Sequence, residues 1–91
     1  MREKQIEQKL VIEVKKLDGM CIKLTGMVGI PDRMVLMPHG KIGFVEVKQK
    51  GKKPRPIQGK RITQLSSLGF QCFVLDDAVQ IGGIIHAIQS T

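Results

Sequence analysis

Arg33-Met34-Val35-Leu36-Met37-Pro38-His39-Gly40-Lys41-Ile42-Gly43-Phe44-Val45-Glu46-Val47-Lys48 is the stretch whose reading decides the fold. Arg33–Met37 and Ile42–Lys48 read as strands, the second rich in β-formers (Ile42, Phe44, Val45, Val47). Pro38-His39-Gly40-Lys41 has hairpin-turn chemistry, so the two strands pair antiparallel. Upstream, Gly26-Met27-Val28-Gly29-Ile30-Pro31 reads as a loop punctuated by Gly and Pro, and Met20–Thr25 as a short strand. Asp18-Gly19 is a stop signal, with Gly19 expected to take the left-handed conformation. Before it, Ile6, Leu10, Val14 and Leu17 follow the spacing of an amphipathic helix over residues 3–17.

Downstream, Gln49–Pro56 is a basic connection expected to be mobile. Ile57, Ile62, Leu65 and Leu68 indicate a second helix closed by Gly69, and Gln71–Leu75 a fourth strand. Asp76-Asp77 is placed to cap a last helix running through Val79, Ile81, Ile84, Ile85 and Ile88, weakened by Gly82-Gly83. The order α-β-β-β-α-β-α implies an α/β domain, residues 1–91, with a mixed four-stranded sheet flanked by helices. The helical crossover between the third and fourth strands favours their parallel pairing.

Composition narrows the function. Hydrophobic residues are 42% and charged residues 25%, a globular balance. No apolar stretch approaches the roughly 20 residues of a membrane span, and the charged start MREKQIEQKL lacks a signal-peptide core. Cys21 and Cys72 are expected to be reduced, buried thiols. Fifteen Lys and Arg against eight Asp and Glu give a net charge of +7, which points to a polyanionic partner. Seven of those cations, Lys48, Lys50, Lys52, Lys53, Arg55, Lys60 and Arg61, follow one another with no acidic residue between. With no Trp or Tyr and only three Phe, a stacking platform for single-stranded bases is disfavoured.

Glu46 interrupts an apolar strand, and Lys48, two positions on, points to the same face about 7 Å along. Taken alone, Glu-x-Lys also suits a surface ion pair. Asp32 opens the preceding strand, and the hairpin brings it near Glu46. Two adjacent carboxylates repel unless a cation lies between them, and hard oxygen ligands favour Mg²⁺ or Mn²⁺. Glu7 and Glu3 share the flank of the first helix's apolar stripe. His39 and His86 have no metal-ligand spacing and read as surface residues, and the five methionines as core filling.

The helix glutamate, Gly29-Ile30-Pro31-Asp32 and Phe44-Val45-Glu46-Val47-Lys48 together resemble the PD-(D/E)xK nuclease superfamily. Within it, the chain resembles stand-alone virus-type replication-repair nuclease (VRR-NUC) domains; Gln58 and the ending Leu68-Gly69-Phe70 fit that branch. The resemblance spans about Glu3 to Leu75. It implies a restriction-endonuclease-like core and metal-dependent phosphodiester hydrolysis. Asp32 and Glu46 would be metal ligands, together with the Val47 backbone carbonyl. Lys48 would orient the attacking water, Glu7 would hold a metal-bound water or second ion (Glu3 being the fallback), and Gln58 would be accessory.

The cations Lys50, Lys52, Lys53, Arg55, Lys60 and Arg61 are expected to hold DNA phosphates without reading bases. The resemblance further implies a homodimer cutting branched DNA such as a Holliday junction. Paired incision there needs two sites related by a two-fold axis, and the segment Ile81–Ile85 is a candidate interface, with coverage of the monomer's own sheet as the alternative. A helicase or replication partner and a location in the cytoplasm of a bacterial or phage-infected cell go with that reading. Two alternatives stand: a non-catalytic basic DNA-binding subunit, and a nuclease acting on linear duplex.

Overall fold

A computed structural model describes residues 1–91. The elements are α1 (Glu3–Lys16), β1 (Met20–Lys23), β2 (Arg33–Met37), β3 (Lys41–Val47), α2 (Pro56–Ser67), β4 (Gln71–Leu75) and α3 (Ile81–Gln89), with a short 3-10 turn, Ala78–Gln80, before α3. They form one sheet in the order β1-β2-β3-β4. β1, β2 and β3 pair antiparallel, and β4 joins β3 in parallel after the α2 crossover. The expected mixed sheet is present.

Strand alternation divides the sheet into two unlike faces. Val35, Met37, Val45, Val47 and Leu75 point to one face and bury against Ile6, Leu10 and Val14 of α1 and against Ile81, Ile84, Ile85 and Ile88 of α3. Ile6, Leu10 and Val14 are the four-residue stripe of an amphipathic helix. The other face carries Met34, Phe44 and Glu46, and α2 lies over part of it. Phe44 meets Phe70 edge to face there, ring centroids 5.6 Å apart.

The structure departs from the sequence reading at several punctuation points. Asp18, not Gly19, takes the left-handed conformation, at φ 65°. Gly19 is instead needed for close approach: a Cβ there would fall 2.6 Å from the Leu36 carbonyl oxygen. β1 ends at Lys23 rather than Thr25. The last helix does not begin at Asp77; the Asp77 carboxylate accepts from the Val79 N–H at 3.1 Å and caps the 3-10 turn, leaving Val79 83% exposed rather than in the core. Within the connection 49–55 the Lys52 N–H donates to the Gln49 carbonyl at 2.9 Å, and Lys50 pairs with Asp77 at 3.4 Å.

Ile81, Ile84, Ile85 and Ile88 are all buried within the chain, so the isoleucine-rich segment covers the chain's own sheet, the alternative weighed for it. Cys21 and Cys72 are free but half-buried, not fully buried. They pair with Val35 and Phe44, residues on opposite faces, which excludes a bridge between them. Burial and nearby Glu7 push the Cys21 thiol up to about 11 against the opposing pull of Arg33 and Lys23.

Candidate active site

The site begins where the β2–β3 ladder ends. One step beyond its last pair, Arg33–Val45, Asp32 stands across from Glu46. The Asp32 carboxylate accepts from the Val47 N–H at 2.8 Å, in place of a further ladder bond. Glu46 itself is 1% exposed, on the α2 side of the sheet because its valine neighbours fill the other. One of its oxygens, Oε2, accepts from the Gln58 amide nitrogen at 2.7 Å and lies 3.1 Å from the Lys48 ammonium. The other, Oε1, is buried and accepts nothing.

Gln58 reaches Glu46 because the start of α2 holds it. Pro56 occupies the first helical turn, where no N–H is needed. The Gln58 side-chain oxygen then accepts from the Arg55 N–H at 2.8 Å, which leaves the amide nitrogen aimed at Glu46. Gln58 thus caps the helix and holds Glu46 at once, and it is the one buried residue of α2. Lys48 is positioned through its backbone: its N–H donates to the Leu75 carbonyl at 2.8 Å, extending the parallel pairing to β4. Burial pushes the Glu46 carboxyl above its usual range, and the Asp32 charge adds to the effect. The Lys48 ammonium opposes the rise without cancelling it.

A pair of facing carboxylates with one orphaned oxygen suits a hard divalent cation. The unpartnered Glu46 Oε1 would cost about 1–3 kcal/mol as a buried acceptor, and a shared cation relieves both that cost and the repulsion from Asp32. Asp32, Glu46, Lys48 and Gln58 are therefore brought together.

Glu7 is not part of this cluster. Its Oε2 accepts from Arg33 Nε at 2.7 Å and from Lys23 Nζ at 2.8 Å. Arg33 follows Asp32 and so points to the opposite face, the one that α1 covers. Burial raises the Glu7 pKa, but these two cations outweigh it and hold the carboxyl below its usual range. No three His, Cys, Asp or Glu side chains gather anywhere in the chain, and Glu3 lies exposed at the start of α1.

Of the expected phosphate-holding cations, Lys52, Lys53, Arg55 and Lys60 carry no ion pair and are exposed. Lys50 is partly neutralised by Asp77. Arg61 is half-buried and engaged: its Nε donates to the Val28 carbonyl at 3.0 Å and its Nη1 to Gln64 Oε1 at 2.9 Å. Sequence reasoning missed this tether because a solvated and an anchored arginine look alike at that position. His39 and His86 are exposed.

A carboxylate pair and a lysine at the open end of a β-hairpin, backed by a parallel fourth strand, define a domain of the PD-(D/E)xK nuclease class. No family model matches the chain. The chain is 47% identical over 90 residues to "Putative nuclease p44" of Acyrthosiphon pisum secondary endosymbiont phage 1, covering 97% of this chain and 96% of that protein. A solved structure of a VRR_NUC domain superposes with a TM-score of 0.86 at 31% identity, covering 92% of this chain and 94% of its own. The chain belongs to the VRR-NUC family of nucleases.

Proposed function

We propose that this nuclease is a divalent-metal-dependent endonuclease that cuts branched DNA, with Asp32, Glu46, Lys48 and Gln58 as its working residues. The observation that carries the proposal is the buried Glu46 carboxylate facing Asp32 with its Oε1 left without a donor. Asp32, Glu46 and the Val47 backbone carbonyl would hold Mg²⁺ or Mn²⁺, which supplies a nucleophilic water near neutral pH and offsets charge on the phosphate.

The chain's own residues do the rest. Gln58 holds one oxygen of Glu46 and thereby fixes which way the carboxylate turns. Lys48, a compact ammonium with rotatable donors, presents positive charge to the phosphate oxygens and orients the attacking water. Lys52, Lys53, Arg55 and Lys60 attract the DNA backbone without reading bases, which suits selection by shape rather than by sequence. Glu7 acts from outside the carboxylate pair by holding Arg33, the residue next to Asp32.

Paired incision of a four-way junction requires two copies, since one chain carries one such site. A homodimer acting on nucleic acid in the cytoplasm of a bacterial or phage-infected cell fits this chemistry, as does recruitment by a helicase or replication protein. No helix of the structure is long and apolar enough to cross a membrane.

The test compares a synthetic four-way junction with a linear duplex of the same sequence in Mg²⁺, in Mn²⁺ and in EDTA. Metal-dependent incision of the junction at least about tenfold above the duplex is expected, and Glu46→Ala should abolish incision while retaining binding. Binding with no incision in either metal would identify a non-catalytic DNA-binding subunit instead. Equal cutting of both substrates would identify a duplex nuclease.

A further inference from the structure

Beside the carboxylate pair lies a groove that the proposed hydrolysis does not use. It measures about 490 Å³ and opens between the loop 26–31 and α2, with Met27, Ile30, Arg61, Gln64, Leu65 and Leu68 in its walls. The loop is firmly held. Its base is closed by the Leu24 N–H donating to the Asp32 carbonyl at 2.9 Å, and its turn by the Ile30 N–H donating to the Met27 carbonyl at 3.2 Å. Gly29 adopts φ 83°, and a Cβ there would fall 2.8 Å from the Ile57 carbonyl oxygen, so the loop presses directly on α2. Arg61 straps the loop from the far side through the Val28 carbonyl. The walls are nevertheless open and apolar: Met27 is 53% exposed and Leu68 73%.

Its place relative to the carboxylates follows from helix geometry. Arg61 lies three residues beyond Gln58 on α2, so the groove begins about 5 Å along the helix from the amide that grips Glu46. Asp32 ends the same loop that forms the opposite wall. A strand with one phosphate at Asp32 and Glu46 would bring its neighbouring nucleotide toward the mouth of the groove.

We propose that this groove receives an unpaired nucleobase, turned out of the strand next to the phosphate at the carboxylate pair. Met27 and Leu68 lie against its faces, and Gln64, whose Oε1 accepts from Arg61, offers its amide N–H groups to the polar edge. The inference rests on the reading of the chain as a nuclease for branched DNA and supplies a reason for that selectivity. Turning a base out of a paired duplex costs a few kcal/mol, and the cost is least where pairing is already broken, as at a branch point. Charge selects the occupant. The lining carries Arg61 and no acidic residue on a chain of net charge +7, so a polyanion that carries apolar bases is complementary to it.

The probe is 2-aminopurine, placed at the branch-point nucleotide of a synthetic junction and at the matching position of a linear duplex. Binding is followed in EDTA, so that no strand is cut. The groove has no aromatic residue to quench an extruded base, and a several-fold rise in fluorescence is expected for the junction alone. Met27→Ser and Leu68→Ser, which come from opposite walls, should each abolish most of the rise. Each should also reduce the preference for junction over duplex by about tenfold, the order of one lost buried apolar side chain. Both positions are exposed, and a circular dichroism melt verifies that the variants fold.

Absence of a rise for wild-type protein bound to the junction would overturn the proposal, as would a rise retained by both variants. Retained fluorescence together with a shift from dimer to monomer in sedimentation would assign the groove to contact between copies and also overturn it. The nuclease reading fails on a different observable, the absence of incision when metal is restored, whatever the fluorescence does.

Discussion

Glu46 holds its position at a cost in stability. The valines on either side of it bury on the α1 and α3 face, which forces the carboxylate into the space beneath α2, and two donors satisfy only one of its oxygens. Its raised pKa means that the folded chain resists the ionised form more than the unfolded chain does. Glutamine is nearly isosteric and neutral. In metal-free protein, Glu46→Gln is expected to raise stability by about 1 kcal/mol, or roughly 5 °C in melting temperature for a chain of this size. The sign follows from linkage: as pH rises through 4.5 the unfolded chain ionises first, so wild type loses stability until the higher folded pKa is passed, whereas the Glu46→Gln variant does not. The advantage of the variant is therefore full only above the raised folded pKa and vanishes below pH 4.5. Adding Mg²⁺ or Mn²⁺ should reverse the order, stabilising wild type by about 2.7 kcal/mol at roughly one hundred times the dissociation constant and leaving the variant unmoved. Differential scanning fluorimetry across pH, with and without metal, reads all of this; a variant less stable than wild type in EDTA would show that Glu46 is adequately satisfied without a cation.

At the scale of elements, glycines separate the positions that the fold needs from those it tolerates. Gly19 lies at the junction of α1 and β1, where a Cβ would meet the Leu36 carbonyl oxygen, the Met37 sulfur and Val14 within 3 Å; backbone cannot yield as a flexible side chain can. Gly82 and Gly83 lie on the exposed side of α3 with open space around them and ordinary helical conformations. Gly19→Ala should cost about 2 kcal/mol through overpacking, while Gly82→Ala and Gly83→Ala should each stabilise by about 0.5–1 kcal/mol through helix propensity. Urea unfolding of the three variants checks the contrast, and a neutral Gly19→Ala would mean that α1 shifts freely against the sheet. The same positions mark what the sequence could express. The strand spans were legible because the hairpin chemistry and β-branched runs are local signals, and the boundaries of β2 and β4 follow directly from them. The exchange of conformations between Asp18 and Gly19 was not legible, since it depends on the approach of Leu36 from another strand. Glu46 stood out because it broke an apolar run. The placement of Glu7 did not, because its partners Lys23 and Arg33 are 16 and 26 residues away.

For the whole molecule, the charge asymmetry decides how DNA is met. The chain measures 32 × 32 × 22 Å, so its thin dimension is close to the width of a duplex and one face can engage only a short tract of backbone. Lys52, Lys53, Arg55 and Lys60 are clustered in sequence, exposed and without acidic partners, whereas Lys50 already answers to Asp77 and Arg61 is committed to the loop at Val28. Charge reading along the sequence counts these cations equally; the fold ranks them. Each phosphate neutralised on B-DNA contributes about 0.9 to the slope of log K against log salt. Lys52→Gln combined with Lys53→Gln should therefore lower that slope by about 1.8, with affinity falling alike for every sequence. Lys50→Gln should change the slope by less than about half of a full contact, because removing it frees Asp77 from a cation that was only partly available. Fluorescence anisotropy of a labelled junction, titrated in EDTA from low to physiological salt, measures the slopes. Equal slopes for the double variant and wild type would mean that the 48–61 segment faces away from the phosphates, and the backbone would then have to be held by the basic residues of α1 on the other side of the sheet.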